Sequence, residues 1–318
     1  MQPSHPLLIR QLRLECAGVV SVELESSEGS SLPLYAAGAH IDVQVPGCPL
    51  RSYSLIDPPN STSSYRIAVK RETESRGGSR WFHEEARVGM ALPVSAPANN
   101  FALVDSAPMS VFIAGGIGIT PLLSMVGQLV MLGRPWELHY AAASRSTMPF
   151  QALLGDLAAR GAGQVFTHYS DARGGRMNVH EVVSAADADA HLYCCGPAGM
   201  IDDFITAGAG RTPDTVHFER FAATQAAALE GGFTLQLARD GRILDVPAGK
   251  TILDVLLDAG LDVAYSCTQG VCGTCRLAVL EGQPEHRDDY LSVEERAAND
   301  SILVCCSGSR TATLTLDV

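Results

Sequence analysis

The spacing of the cysteines near the C-terminus constrains the fold more than any other feature of the sequence. Cys267, Cys272 and Cys275 follow the pattern C-x4-C-x2-C, and Cys305 lies 30 positions further on. Thiolates at these positions meet only if a loop closes tightly round a compact group, and small residues such as Gly273 allow that closure. The pattern therefore predicts a metal centre that is held by one short loop and one later ligand.

The spacing also indicates which metal centre this is. A C-x4-C-x2-C run with a distant fourth cysteine is the arrangement of plant-type 2Fe–2S clusters. Zinc ribbons instead favour two separated C-x2-C pairs, and this loop contains one. Residues 1–13 carry no apolar signal-peptide stretch, so the nine cysteines do not indicate a disulfide framework. We predict a 2Fe–2S cluster.

Two adjacent cysteines compete for the fourth ligand position. Side chains alternate along an extended segment, so Cys305 and Cys306 are expected to face opposite ways. We assign Cys305 as the ligand and expect Cys306 to point away from the cluster. The predicted metal ligands are thus Cys267, Cys272, Cys275 and Cys305.

The net charge of −12 and the pI of about 5.1 limit the partners of the chain. Nucleic acid is excluded as a partner, because phosphate binding needs a basic surface. No basic run indicates attachment to an anionic membrane either. The uncharged stretch 106–133 is long enough to span a bilayer, but its glycines and Pro121 predict a buried strand, a tight turn and a packed helix.

With 318 residues, of which 46% are hydrophobic and 18% charged, the chain predicts two or three globular domains. From about residue 7 to 103, short alternating segments separated by turn residues predict a small antiparallel barrel, with strands at 39–45, 51–56 and 65–70. Beyond residue 109, strands at 110–114, 137–142, 164–169 and 191–195 alternate with helices at 121–132 and 150–160. That alternation predicts a parallel sheet covered on both faces.

The remainder of the sequence predicts a linker and a third domain. Residues 222–232 are rich in alanine and glycine and predict a flexible linker. A hairpin at 233–238 and 242–246, a helix at 251–259 and the cysteine loop follow. A closing strand is expected at 312–318.

Two glycine turns lie where predicted strands end and helices begin. Residues 115–118 and 195–197 hold these turns, and both fall at the carboxyl edge of the same parallel sheet. Glycines let the backbone approach a pyrophosphate, and a helix N-terminus attracts its charge. Pro121 replaces the last glycine of the G-x-G-x-x-G fingerprint, so the first turn alone could be purely structural. Together the turns predict a crevice for a dinucleotide.

A second pair of motifs in the barrel suits a flavin mononucleotide. Residues 51–54 read Arg-Ser-Tyr-Ser on a predicted strand, and 76–79 read Arg-Gly-Gly-Ser ahead of a helix. Arg51 can pair with a phosphate, to which Gly78 and Ser79 can offer backbone N–H groups. Tyr53 offers an aromatic face and Ser54 a hydroxyl near the ring. The alternative is that Tyr53 packs in the core and Arg51 is solvated.

In this order, the motifs resemble the phthalate dioxygenase reductase family, which includes vanillate O-demethylase and phenoxybenzoate dioxygenase reductases. The resemblance covers nearly the whole chain and includes 217–221 (His-Phe-Glu-Arg-Phe) and 285–288 (Glu-His-Arg-Asp). His286, Arg287 and Asp288 also spell a kinase fragment, and we treat them as structural. The implied fold is multi-domain, with an antiparallel β-barrel flavin domain (1–103), an α/β parallel-sheet nicotinamide domain (104–224), a linker (225–232) and an α+β β-grasp plant-type ferredoxin domain (233–318).

The resemblance implies three cofactors, namely FMN, NADH and the 2Fe–2S cluster. The implied FMN residues are Arg51, Ser52, Tyr53, Ser54, Val69, Lys70, Gly77, Gly78 and Ser79. The implied dinucleotide residues are Gly116, Gly118, Thr120, Pro121, Cys195, Gly196 and Pro197. Phe221 resembles the aromatic residue that covers the flavin, although it could instead pack in the core. Relatives often carry an acidic residue after the arginine that follows the strand at 137–142, which disfavours a 2′-phosphate. Here Ser146 follows Arg145, and Arg145 could accept that phosphate, so NADPH stays open as a donor.

The implied function is that of a cytoplasmic, monomeric oxidoreductase that passes electrons from NADH through FMN and the cluster to a terminal Rieske-type oxygenase. No catalytic triad is required, since the cofactors carry the chemistry. Residues 233–318 hold 13 acidic and 7 basic side chains. This acidic surface would steer an acceptor protein with a basic docking patch, or it would only keep the domain solvated. A cytochrome P450 or another metalloenzyme as acceptor, and a redox-sensing interaction protein, are the alternatives. The final substrate is not encoded in this chain.

Overall fold

The computed structural model describes residues 5–60, 62–73, 77–171 and 176–318. The chain divides into two compact units. We call Pro3–Arg220 the N-terminal unit and Phe221–Val318 the C-terminal unit. Each has its own hydrophobic core.

The first part of the N-terminal unit is a six-stranded antiparallel barrel. Its elements are β1 (His5–Cys16), β2 (Val19–Ser26), β3 (His40–Val43), β4 (Arg51–Ser54), β5 (Ser64–Lys70), α1 (Gly78–Glu84) and β6 (Ala91–Val94). The strands pair in the order β4-β3-β6-β1-β2-β5. Just beyond β4, Ile56 N donates to Arg66 O of β5 at 3.0 Å, which brings the two edges of the sheet together. Alternating residues such as Val22, Ile41 and Ile67 fill its interior.

The second part is a five-stranded parallel sheet with helices on both faces. Its elements are β7 (Ser110–Gly115), α2 (Ile119–Leu132), β8 (Trp136–Ala142), α3 (Gln151–Arg160), β9 (Gly163–Tyr169), α4 (Val179–Ala185), β10 (His191–Cys195), α5 (Ala198–Gly208) and β11 (Val216–Glu219). The strand order is β11-β10-β7-β8-β9. Phe112 of the central strand packs with α2 and α3, whereas Ile113 packs with α4 and α5. The sequence predicted four of these strands to within one residue and missed α4 and the edge strand β11.

The barrel and the parallel sheet are joined by buried hydrogen bonds. Ser124 of α2 donates to the carbonyl of Asp57 at 2.7 Å, and the backbone N–H of Val104 donates to the Tyr193 hydroxyl at 2.9 Å. Both predicted domains, 1–103 and nearly all of 104–224, therefore lie in one compact unit that ends at Arg220.

The C-terminal unit has the mixed sheet and packed helix of a β-grasp. Its elements are β12 (Phe233–Leu237), β13 (Ile243–Val246), α6 (Ile252–Asp258), β14 (Arg276–Glu281), β15 (Pro284–Glu285), α7 (Val293–Ala298), β16 (Ser301–Leu303), β17 (Gly308–Ser309) and β18 (Thr313–Leu316). The main sheet has the order β13-β12-β18-β14-β16, and β15 pairs with β17. Helix α6 begins at a capping box, in which Thr251 and Asp254 bond each other's backbone N–H at 3.1 and 2.9 Å.

The segment 225–232, which the sequence predicts as a flexible linker, is bonded to the C-terminal unit. Ala228 N donates to Cys306 O at 2.8 Å, and Gly249 N donates to Leu229 O at 2.8 Å. Ala228 is buried, and a Cβ on Gly308 would lie 2.9 Å from its side chain. The small residues that suggest flexibility in the sequence instead allow the backbone to pack closely.

The uncharged stretch forms β7, a glycine turn and α2, as the sequence predicts. Helix α2 has 14 residues, and ten of them are buried. Among the residues that the structure describes, no helix is long and apolar enough to cross a membrane.

Gly163 allows a direct test of the packing between β8 and β9. It stands opposite Trp136, and a Cβ at this position would overlap the indole ring. Trp136 is 1% exposed, so the ring has no room to move aside. We expect Gly163→Ala to lower the free energy of unfolding by about 1–3 kcal/mol, measured by urea denaturation of the full chain with circular dichroism.

Gly155 in α3 supplies the matched control. A Cβ there meets no atom within 4 Å, and alanine is favoured over glycine inside a helix by about 0.5–1 kcal/mol. Gly155→Ala should therefore raise the stability. Wild-type stability of the Gly163→Ala variant would contradict the packing described for Trp136.

Candidate functional site

The four predicted cluster ligands come together as two pairs of thiols. Cys267 is hydrogen-bonded to Cys272, and Cys275 to Cys305. The bond to Cys267 lowers the pKa of Cys272 to about 5, and the bond to Cys305 lowers the pKa of Cys275. The same bonds raise the pKa of Cys267 and of Cys305. Three of the thiols are buried and Cys272 is half-buried.

This pairing fits a two-iron centre. A plant-type 2Fe–2S cluster has four cysteine ligands, two for each iron. Across the described parts of the chain, no three His, Cys, Asp or Glu side chains converge as the ligands of a single metal ion do. The donor set contains sulfur alone and is largely buried, which suits iron–sulfur chemistry better than exposed binding of a hard cation.

The loop that holds these thiols depends on two glycines with positive φ. Gly270 has φ +74° and Gly273 has φ +77°, a conformation that other residues rarely adopt. A Cβ at Gly273 would also overlap the ring of Tyr290. The tight turn between the ligands therefore requires glycine at both positions.

Hydrogen-bonding groups within the loop lie beside the sulfur atoms. The backbone N–H of Gln269 donates to Cys267 Sγ at 3.4 Å. The Cys272 thiol donates to the Thr274 hydroxyl at 3.3 Å, and the bond with Thr274 lowers the pKa of Cys272 because the hydroxyl can donate to the thiolate. Donors placed in this way stabilise a thiolate and tune the potential of a metal that it binds.

The Cys306 side chain points toward the cluster loop. The sequence-based prediction that it faces away is therefore wrong. Residues 304–306 form a turn rather than an extended strand, so their side chains do not alternate. The Cys306 thiol is hydrogen-bonded to Cys305, and a Cβ at Gly270 would overlap its sulfur. Cys305 keeps the pairing with Cys275, and Cys306 lies beside the pairs.

Asp288 packs behind the cluster loop, although its sequence context does not mark it as a site residue. Its side chain is fully buried and accepts a hydrogen bond from Leu291 N at 2.8 Å. A Cβ at Gly270 would lie 3.1 Å from Asp288 Cα, and Asp289 N donates to Gly270 O at 3.0 Å. The triplet 286–288 thus acts structurally, as its sequence context indicated.

Arg51, Tyr53 and the start of α1 meet at the rim of the barrel. Gly77, with φ +108°, turns the chain into α1, and a Cβ at Gly78 would lie 3.6 Å from Arg51 Cγ and 3.7 Å from the Tyr53 hydroxyl. The Tyr53 ring packs edge-on against Phe82 with centroids 5.6 Å apart, and burial raises the pKa of Tyr53 to about 12. A guanidinium, an aromatic ring and a close backbone N–H are the groups that bind a phosphate and a flat ring.

The two serines of this strand lie on its other face. Strands β3 and β4 pair so that Ser52 is opposite Asp42 and Ser54 is opposite His40. Ser52 Oγ donates to Asp42 Oδ1 at 2.6 Å. Ser54 and His40 are both buried.

The remaining predicted flavin residues differ in which of their groups can contact a ligand. Ser79 Oγ accepts a hydrogen bond from Glu72 N at 3.2 Å, and Lys70 pairs with the Glu72 carboxylate at 3.0 Å on the surface. The Val69 side chain belongs to the barrel core, so it can reach a ligand only through its backbone. Arg76 lies outside the described residues.

The two predicted glycine turns pack directly against each other. Their strands, β7 and β10, are neighbours in the sheet. A Cβ at Gly118 would lie 2.7 Å from Gly196 N, and a Cβ at Gly196 would lie 3.0 Å from Gly115 N. Gly116 has φ +53° and its carbonyl accepts a hydrogen bond from the Tyr140 hydroxyl at 2.9 Å. Close approach of backbone to backbone therefore requires glycine in both turns.

Several predicted dinucleotide residues keep their side chains out of this crevice. The Thr120 hydroxyl donates to Ile117 O at 3.0 Å and, like Pro121, is buried in the first turn of α2. Cys195 is fully buried, and burial raises the pKa of its thiol. Pro197 precedes α5 and packs on Gly115. These residues shape the backbone of the crevice.

Arg145 and Phe221 are exposed. Arg145 opens a 3-10 turn (Arg145–Thr147) just beyond β8, and Gln151 Nε2 donates to its carbonyl at 2.7 Å. Phe221 is 41% exposed and is the first residue of the C-terminal unit. Its place over a flavin ring stays a prediction.

Two family descriptions match successive parts of the chain. Residues 112–206 match an oxidoreductase NAD-binding domain, and residues 235–309 match a 2Fe–2S iron–sulfur cluster binding domain. The first range contains both glycine turns, and the second contains all four paired thiols.

Similar proteins cover almost the whole chain. The phenoxybenzoate dioxygenase subunit beta of Ectopseudomonas oleovorans is 51% identical over 300 residues, which are 94% of this chain and 93% of that protein. An intact type IV self-sufficient cytochrome P450 monooxygenase matches with a TM-score of 0.83 and 35% identity, over 99% of this chain and 41% of its own.

A third similar protein matches over the full extent of both chains. Phthalate dioxygenase reductase, described as a modular structure for electron transfer from pyridine nucleotides to [2Fe–2S], matches with a TM-score of 0.78 and 34% identity over 100% of both chains. Its match confirms the predicted combination of a flavin-type barrel, an NAD-binding parallel sheet and a C-terminal 2Fe–2S domain. The chain belongs to the phthalate dioxygenase reductase family of oxidoreductases.

Proposed function

We propose that this protein is the NADH-dependent reductase component of a Rieske-type oxygenase system. In this proposal, electrons pass from NADH through FMN and the 2Fe–2S cluster to the oxygenase. The observation that supports it best is the joint presence, in one chain, of two packed glycine turns and two buried thiol pairs. A flavin is needed between them, because it accepts a hydride and releases electrons singly.

The barrel rim is the proposed FMN site. Arg51 would bind the phosphate through its guanidinium, and Gly78 N would donate to the same phosphate. Tyr53 would hold one face of the ring, and Ser54 would lie at its edge. The other proposed contacts are Ser52, Val69, Lys70, Gly77 and Ser79.

The crevice between the glycine turns is the proposed dinucleotide site. Gly116 and Gly118 would admit the pyrophosphate to the start of α2, where backbone N–H groups are free to bind it. Gly196 would do the same at the start of α5. Phe221 is the proposed cover of the flavin. We keep 1–103, 104–224, 225–232 and 233–318 as the proposed domain and linker bounds.

An oxygenase is the proposed acceptor because the relatives named above include a dioxygenase subunit and a dioxygenase reductase. Residues 233–318 carry 13 acidic against 7 basic side chains, which would attract a basic acceptor surface. Tyr290 covers Gly273 of the cluster loop and is 46% exposed, and Val293 nearby in the chain is 78% exposed. This acidic and partly apolar face next to the thiols is the proposed docking surface.

A cytochrome P450 is the second candidate acceptor. It is favoured by the match of 99% of this chain to 41% of a self-sufficient P450 monooxygenase. Reconstitution distinguishes the two acceptors. Product formation with a separate Rieske oxygenase supports the first proposal, whereas NADH-driven turnover with a P450 and none with the oxygenase supports the second.

The adjacent cysteines provide a matched test of the cluster. We expect Cys305→Ser to abolish the EPR signal of the reduced 2Fe–2S cluster and to lower NADH-driven cytochrome c reduction at least tenfold. Cys306→Ser should retain both, because its sulfur lies outside the two pairs. Ferricyanide reduction, which a flavin can perform alone, should survive in both variants. Cofactor released by heat should be FMN.

Two results would contradict this proposal. If Cys306→Ser lost the cluster and Cys305→Ser retained it, Cys306 rather than Cys305 would be the fourth ligand. Release of FAD, or the absence of any flavin from the purified protein, would remove the proposed relay.

Arg145 provides a test of coenzyme choice. Its side chain is exposed just beyond β8. An exposed guanidinium there would attract the 2′-phosphate of NADPH. We expect Arg145→Ala to lower kcat/KM for NADPH about five- to tenfold and to leave kcat/KM for NADH unchanged, measured with ferricyanide. Arg160→Ala, at the end of α3, is the control, and an equal fall for both coenzymes would contradict the assignment.

A further inference from the structure

His40 is a buried histidine whose hydrogen-bonding groups are left unused. It is 5% exposed, and within the described parts of the chain neither Nδ1 nor Nε2 has a hydrogen-bond partner. A neutral imidazole carries one donor and one acceptor. Burying such groups unpaired is costly, so a native site with this feature needs an explanation.

The backbone of His40 is held on both sides. His40 N donates to Ala98 O at 2.8 Å, and Ala98 N donates back to His40 O at 2.9 Å. On its other side, β3 pairs with β4, which places His40 opposite Ser54. These bonds fix the position from which the buried imidazole extends.

The cross-strand pairs on this face show what is missing. Opposed residues on antiparallel strands have Cβ atoms about 4.5–5.5 Å apart. The pair Asp42 and Ser52 is closed by a hydrogen bond of 2.6 Å. The pair His40 and Ser54, two residues along the same face, has no bond from the imidazole, although both side chains are buried.

A half-buried histidine on α1 makes the contrast clear. His83 Nε2 bonds Val69 O at 3.0 Å, so its imidazole is anchored by the protein itself. The His40 imidazole has no such anchor. A ligand that lies against Ser54 would supply the missing partner.

We propose that His40 is a further binding residue of the flavin site, whose imidazole forms a hydrogen bond with the polar edge of the flavin ring beside Ser54. The inference rests on the proposed function, which puts Ser54 at the ring. The heteroatoms of that edge provide both donors and acceptors, which is what an imidazole with two unused nitrogens requires. His40 also selects for a correctly oriented ring, because its own position is fixed by β3.

The test is titration of FMN into the flavin-free full-length protein, followed by flavin fluorescence. His40→Leu removes the polar nitrogens and keeps an apolar side chain, and His40→Gln restores a donor and an acceptor. We expect His40→Leu to weaken FMN binding about tenfold, equivalent to about 1.4 kcal/mol, and to shift the absorption bands of bound FMN. His40→Gln should recover much of the affinity.

Stability of the flavin-free protein separates binding from folding. Because His40→Leu removes an unpaired buried group, it should unfold at the same or a higher urea concentration than wild type. Ser110→Ala is the matched control. The Ser110 hydroxyl is likewise buried without a partner among the described residues, but on β7 of the parallel sheet. Ser110→Ala should bind FMN as wild type does.

Equal FMN affinity and equal spectra for wild type, His40→Leu and His40→Gln would overturn the assignment of His40 alone. Failure of the wild-type protein to bind FMN would overturn the proposed function and this inference with it. If His40→Leu does not fold, the two variants Ser54→Ala and His40→Gln replace it in the test. Wild-type FMN affinity and a wild-type FMN spectrum in both of them would also reject a hydrogen bond at this edge.

Discussion

Three thiols of one short loop must meet a fourth thiol from Cys305, and the C-terminal unit is organised round that requirement. The loop turns through Gly270 and Gly273, both with positive φ, and the buried Asp288 packs behind it. The thiols bond in two pairs, which matches the two cysteine ligands that each iron of a plant-type cluster takes. The segment before β12 adds a bond from Ala228 to Cys306, next to the fourth ligand. Support for the cluster thus extends well beyond the cysteines themselves.

The N-terminal unit meets a different constraint, the close approach of backbone to backbone. The glycine turns at the ends of β7 and β10 touch, and any side chain at Gly118 or Gly196 would separate them. At the barrel rim, Gly78 lets α1 begin beside Arg51 and Tyr53. Both places are proposed phosphate sites at the start of a helix, where backbone N–H groups of the first turn can bind an anion. One compact unit therefore contains both proposed nucleotide sites.

The sequence predicted the parts of this molecule that depend on local spacing. The cysteine pattern, the glycine turns and most strands of the parallel sheet are local signals, and relatives and structure confirm the fold that they indicate. The direction of Cys306 was missed because 304–306 form a turn, which two adjacent cysteines do not reveal. His40 and Asp288 were missed because their roles arise from burial and cross-strand pairing between distant segments. Composition also misled at 225–232, where small residues allow close packing rather than flexibility.

The proposed relay passes electrons from a nicotinamide to a flavin and then singly to the cluster. Anaerobic titration of the purified protein with NADH, followed by visible absorbance and low-temperature EPR, tests this relay most directly. We expect the flavin to bleach and the signal of a reduced 2Fe–2S cluster to grow with it. Bleaching of the flavin without any cluster signal, in protein shown to contain iron and sulfide, would contradict the relay.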